Sequence, residues 1–169
     1  MKYVVLLRAI NVGGHNKIKM AALKSTLFEK GFQNVTTYIQ SGNIILEGAF
    51  SKTEIKQIIE NILSSEYGIN TRTVVLSKED YQAVCRENPF SVPKRDERVQ
   101  ILFSNEWLED KMESTADAEY RAKGYAIYVK MFTKETHKVQ VEKVIRDWIK
   151  EDVTARSLKT SLKINELLE

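Results

Sequence analysis

The sequence predicts an α+β protein made of two fused ferredoxin-like (βαββαβ) units, each an antiparallel sheet covered by helices. Three observations carry this expectation. Residues 1–76 alternate β-rich and helix-periodic segments in the order β-α-β-β-α-β. The stretch ENPFSVPKRDER (87–98) is polar and holds both prolines of the chain, so it reads as a helix exit and linker. Beyond it, strand-like and helix-like segments recur in a comparable order. The expected organisation is therefore a first half over 1–76, a helix and linker over 77–98, and a second half over 99–169 with a closing helix.

Taken in order, Tyr3–Leu7 is a continuous apolar run, the pattern of a strand buried on both faces. Met20, Leu23, Leu27 and Phe28 follow helical spacing, and Gly31 is a suitable stop. Val35–Ile39 and Asn43–Glu47 are β-rich and joined by QSGN, a hairpin signal. Ser51-x-x-Glu54 is a capping-box pattern ahead of Ile55, Ile58, Ile59, Ile62 and Leu63 on one helical stripe. Thr71–Leu76 is a β-branched strand, and Ser77–Asn88 a short helix. In the second half, Val99–Phe103 reads as a strand and Glu106–Glu113 as a helix. Glu119–Ala122 and Tyr125–Lys130 read as a hairpin turning at Lys123-Gly124. Val141, Val144, Ile145, Trp148 and Ile149 mark a helix, Val153–Arg156 a strand and Leu158–Leu168 a last helix.

Composition bounds the function. A chain of 169 residues with 43% hydrophobic and 29% charged residues is an ordinary globular protein. At this length roughly 70% of the unfolded surface can be buried. A net charge of +3 permits anionic ligands without the dense basic stripe of a dedicated nucleic-acid binder. One cysteine, Cys85, excludes an internal disulfide. The apolar start, MKYVVLL, is too short and too soon charged for a signal peptide or membrane span, so a cytoplasmic protein is expected.

The chemistry concentrates in RAINVGGHNKIKM (8–20). In a β-α-β-β-α-β order, right-handed crossovers make the first two strands parallel with the third between them. The loop after the first strand and the QSGN turn then open on the same sheet end, joined by the connection Tyr67–Asn70. Gly13 and Gly14 allow positive φ and close backbone approach, and the following helix would turn its positive end to the same place. Arg8, Lys17 and Lys19 add charge-assisted contacts. Asn11, Asn16, Gln40, Ser41 and Asn43, with Gly42 between them, supply neutral donors and acceptors. The expected ligand is small and anionic, phosphate-bearing or nucleotide-like. Taken singly, each loop is also explained by ordinary turn chemistry.

Other candidates are weaker. Neither GxxxxGK[ST] nor G-x-G-x-x-G occurs. His15 and His137 have no Cys or His at ligand spacing, so no metal and no cofactor are implied. His15 reads as a solvated loop residue, with a general base as the alternative. Cys85 shares a helical face with Tyr81 and Val84 and reads as core. Ser41 lacks a G-x-S-x-G elbow and is assigned binding at most. PKRDER reads as a solvated linker. Tyr125 and Tyr128 point to opposite faces of a strand, so aromatic and basic residues do not interleave as a stacking platform needs.

With these residues in hand, the chain resembles a bacterial family known as domain of unknown function 1697. The resemblance rests on LLRAINVGGHNKIKMAALK and TYIQSGNIIL, and more weakly on ENPF (87–90) and TARSLKT near the C-terminus. It implies two fused ferredoxin-like halves and carries no activity, substrate or cofactor. Ala9 stands where the family commonly has Gly, and Lys19 where Pro often opens the helix. Arg156-Ser157-Leu158 replaces R-N-W. Arg156 and Thr160 match, and the resemblance implies a contribution from Arg156 to a ligand site.

Three function classes follow. The first is a binder of a phosphate-bearing or nucleotide-like small molecule at the RAINVGGHNK/QSGN edge, with or without turnover. The second is an RNA-binding module on an open ferredoxin-like sheet, touched by Lys17, Lys19, Lys94 or Arg95. The third is an interaction or assembly domain that pairs through an exposed sheet face or edge.

Overall fold

A computed structural model describes residues 1–135 and 139–169 of the chain, so His137 lies outside the described residues. Two compact units are formed, Met1–Tyr81 with Leu168, and Gln82–Leu167 with Glu169.

The first unit runs β1 (Lys2–Leu7), α1 (Met20–Glu29), β2 (Gln33–Tyr38), β3 (Asn43–Glu47), α2 (Lys52–Tyr67) and β4 (Thr73–Ser77). Its sheet has the order β2-β3-β1-β4, and β1 pairs antiparallel with both β3 and β4, Val5 standing opposite Ile44 and Val75. This is the split β-α-β arrangement that the element order predicts. The α2 start forms a full capping box: Ser51 Oγ accepts from the Glu54 N–H, and Glu54 accepts from the Ser51 N–H. The α2 stripe and the α1 face (Met20, Leu23, Leu27) pack with Tyr3, Val5, Leu7, Ile44 and Leu46 in one core.

The opposite face of the same sheet is also shut off from solvent. Val4, Leu6, Ile45, Val74 and Leu76 are at most 6% exposed. The near-continuous apolar run of β1 is thus explained, since a strand covered on both faces has no polar side to show.

Helix α3 (Lys78–Arg86) leads into the second unit, which runs β5 (Arg98–Ser114), β6 (Ala118–Met131), α4 (Val141–Ile145), a 3-10 turn (Arg146–Trp148), β7 (Thr154–Ser157) and α5 (Leu158–Leu167). Its sheet has the order β6-β5-β7, antiparallel throughout. Here two expectations are corrected. Glu106–Glu113 is strand, not helix: its apolar residues never formed a helical stripe, and cross-strand partners such as Met112↔Arg121 and Glu113↔Tyr120 take it into a long ribbon. Lys123-Gly124 is not a turn either. Gly124 sits opposite Leu108 with the Trp107 ring above it, 3.6 Å from where a Cβ would stand. The chain reverses instead at 115–117, where Thr115 Oγ1 accepts from the Asp117 and Ala118 N–H groups.

The second unit is therefore β-β-α-β-α, and the element order that suggested a duplication is confined to the first unit. The described residues form an α+β protein with antiparallel sheets of four and three strands and five α-helices. PKRDER is also more ordered than a slack linker. The Lys94 N–H donates to the Glu97 carboxylate at 2.9 Å and Lys130 approaches it at 3.5 Å. The Lys94 N–H bond, helped by the lysine charges, holds the Glu97 carboxyl below its ordinary value. Among the described residues, no helix is long and apolar enough to cross a membrane.

Candidate functional site

The loop leaving β1, the turn between β2 and β3, and the connection into β4 meet at one end of the first sheet, as the topology requires. Asn11 makes the principal tie. Its Nδ2 donates to the Gln40 carbonyl at 2.8 Å and to the Ile18 carbonyl at 3.1 Å, while its Oδ1 accepts from the Ile18 N–H at 2.8 Å. One side chain thus closes its own loop and fixes that loop to the turn. Beside it, the Leu7 N–H donates to the Gly42 carbonyl at 2.9 Å. The third segment is held by Thr71, whose hydroxyl donates to the Arg8 carbonyl at 2.7 Å.

The loop backbone explains its composition. Ala9, Asn11, Gly13, Gly14 and Asn16 all have positive φ, between 51° and 77°. Asn and Gly tolerate that region best, because Gly has no Cβ and Asn can bond locally. Asn16 does so, its Nδ2 reaching the Ala9 carbonyl at 3.0 Å. Gly13 and Gly14 form the tip of a two-residue turn closed by the His15 N–H on the Val12 carbonyl, at 3.0 Å. They do not cap α1. The helix begins at Met20 with Lys19 as its N-cap, which makes no side-chain bond. The turn side carries matching strain, with Ile39 at φ 51° and Gly42 at φ 87°.

Ala9 holds φ 55°. An L-residue pays about 1–2 kcal/mol in that region. Ala9→Gly is therefore expected to raise stability by about 0.5–1 kcal/mol once the extra unfolded-state freedom of Gly is subtracted, read as a higher denaturation midpoint at unchanged slope.

Electrostatically the edge is one-signed. The segments 8–20, 39–43 and 68–72 contain Arg8, Lys17, Lys19 and Arg72 and no carboxylate. Lys17, Lys19, His15 and Arg72 are exposed and Arg8 is half-buried. Glu60, which reaches the start of β4, is engaged by the Thr73 N–H and by Lys56.

The candidate residues therefore separate by role. Asn11, Asn16 and Asn43 spend their amides on the loops themselves. Asn43 is buried and its Nδ2 donates to the Tyr38 carbonyl and to Ser41 Oγ. Gly42 is a packing glycine, since a Cβ there would stand 2.6 Å from Leu7 Cβ. Gly13, Gly14, Lys17 and Gln40 stay exposed at the edge, with Ser41 and Arg8 half-buried beside them. Arg156 lies on β7 in the second unit, only 8% exposed, with Nη1 on the Ala155 carbonyl. Ser157 Oγ accepts from the Thr160 N–H at 3.2 Å, an N-cap bond that an Asn at this position also makes. Sequence reasoning missed Thr71 and Arg72, because the strand there was expected two residues early.

Neither of the cavities described in the structure opens at this edge. One lies at the other end of the first sheet, beside Gly48, Phe50 and Lys52, and the other in the second unit, beside Tyr120 and Lys143. Among the described residues no group of three or more His, Cys, Asp or Glu is placed to hold a metal ion. Cys85 is buried, its thiol 3.7 Å from the Ser161 carbonyl.

Comparison with known proteins places these features in a wider set. The family model described as protein of unknown function (DUF1697) matches residues 1–132, which contain the whole loop edge. Among solved structures, the chain is similar to conserved bacterial protein SP0830 from Streptococcus pneumoniae. That match has 29% identity and a TM-score of 0.74, covering 99% of this chain and 98% of that one. No curated protein matches the chain.

Proposed function

We propose that this chain, which belongs to the DUF1697 family of proteins of unknown function, binds a phosphate-bearing or nucleotide-like small molecule at the edge of the β1–α1 loop and the β2–β3 turn. The carrying observation is the Asn11 clamp, which closes a carboxylate-free, cationic loop on the Ile18 carbonyl at 3.1 Å and fixes it against the turn through the Gln40 carbonyl at 2.8 Å. A clamp of this kind pays the ordering cost before a ligand arrives, which leaves more of the contact energy for binding. Arg8 supplies the planar donor suited to a phosphate, and Lys17 and Lys19 supply point charges. Gly13 and Gly14 keep the tip free of side chains.

Thermal denaturation against inorganic phosphate, nucleotides and sugar phosphates tests this. A ligand at one hundred times its dissociation constant is expected to add about 2.7 kcal/mol of stability. Arg8→Ala is expected to abolish that increment while the ligand-free protein still unfolds cooperatively. No increment from any member of the panel would overturn the reading.

A further inference from the structure

The loop edge also carries apolar side chains that phosphate binding does not use, and we infer that this edge seats on an anionic phospholipid surface. The inference rests on the phosphate reading of the edge and names a lipid as the carrier of the phosphate. Val12, beside the Gly13-Gly14 turn, is 61% exposed, and Ile39, in the β2–β3 turn, is 49% exposed. Their chain neighbours Asn11 and Gln40 are bonded to one another at 2.8 Å, so the two aliphatic residues flank a single tie. Ile39 also holds φ 51°, a region in which a β-branched residue is an outlier. Asn or Gly suits such a turn position better, so the fold itself gains little from an isoleucine there.

Around these two residues the charge is of one sign. Lys17, Lys19 and Arg72 are exposed and hold no ion pair among the described residues, with Arg8 half-buried beside them. Within three residues of 8–20, 39–43 and 68–72 the sequence holds one carboxylate, Glu66 in the last turn of α2. Exposed aliphatic groups enter the boundary between headgroups and acyl chains, while cations meet the lipid phosphates. Gly13 and Gly14 put no side chain between the loop backbone and such a surface. No Phe, Tyr or Trp lies in the three segments, so bases have no such ring to stack on and a nucleic-acid strand fits less well. Two aliphatic groups and a few cations give reversible, salt-sensitive association and not permanent anchoring.

The test is flotation of the full chain with vesicles of phosphatidylcholine, with and without about 30% phosphatidylglycerol, whose charge is its phosphate. Binding to the anionic vesicles at low salt is expected, on the order of one hundred-fold tighter than to neutral ones and weakened by added salt. Lys17→Ala and Lys19→Ala should each weaken it about five-fold, and Val12→Asp roughly ten-fold. Ile39→Asn separates a lipid contact from a structural role. Its vesicle affinity is expected to fall roughly five-fold while the denaturation midpoint holds or rises. Absence of binding to anionic vesicles at low salt overturns the inference, as does binding that Val12→Asp and Ile39→Asn leave unchanged. Stabilisation by inorganic phosphate or nucleotides without vesicle binding also overturns it and leaves the small-molecule reading standing. Neither stabilisation nor vesicle binding would overturn both. Ile39-dependent self-association in light scattering without vesicle binding would assign the face to a second copy and overturn the lipid contact.

Discussion

Gly42→Ala is expected to destabilise the protein by about 3 kcal/mol, the larger of two effects at the loop edge. Two separate penalties combine there. The backbone stands at φ 87°, a region that costs an L-residue about 1–2 kcal/mol. The added Cβ would also lie 2.6 Å from Leu7 Cβ and 3.0 Å from Leu7 Cγ, both in side chains of the fully buried strand β1. Forcing such an overlap in a packed core costs a further 1–3 kcal/mol or so. The Leu7 N–H bond to the Gly42 carbonyl is the first to be strained, so the loss falls on the junction of loop and turn. For a chain of this size the midpoint should fall by roughly 6–12 °C. A fall below 2 °C or so would mean that the turn relaxes freely and is not fixed to β1.

Asn11→Ala is expected to cost about 2–3 kcal/mol and to uncouple the two segments. Its three bonds, to the Gln40 carbonyl and to both polar groups of Ile18, vanish together. Each is worth on the order of 1 kcal/mol net, and a buried partner left unpaired costs more. Ile18 is buried, so its N–H and carbonyl have little recourse to water. The replacement must also hold φ 56°, a region that costs Ala more than Asn. Hydrogen exchange should separate the effects: faster exchange confined to residues 9–18 and 39–42, with β1, β3 and α2 protected as before. Uniformly faster exchange would point to global loss in place of a local clamp.

Much of this was legible in the sequence. The capping box at Ser51, the buried run of β1 and the β-α-β-β-α-β order of the first unit follow from local chemistry and periodicity, and right-handed connection then brings the glycine loop to the QSGN turn. What could not be read was how the polar side chains divide their work. Asn11, Asn16 and Asn43 looked like ligand contacts, yet their amides serve the loop, because backbone at positive φ leaves carbonyls and N–H groups that need partners. The second unit was misread for a different reason. Trp107-Leu108 and the charged residues after it have no strand signature of their own, and only the pairing with β6 makes them one. With Lys123-Gly124 taken for a turn, the continuous strand Ala118–Met131 could not be recognised.

The most direct test of the loop edge as a ligand site is amide chemical-shift mapping of the isotope-labelled protein during titration with inorganic phosphate and a nucleoside monophosphate. Saturable shifts are expected at Arg8–Lys17 and Gln40–Asn43 together, with the amides of 44–47, α2 and β5 unmoved. Shifts confined to one of the two segments, or none at either while the protein remains folded, would contradict a site built by bringing them together.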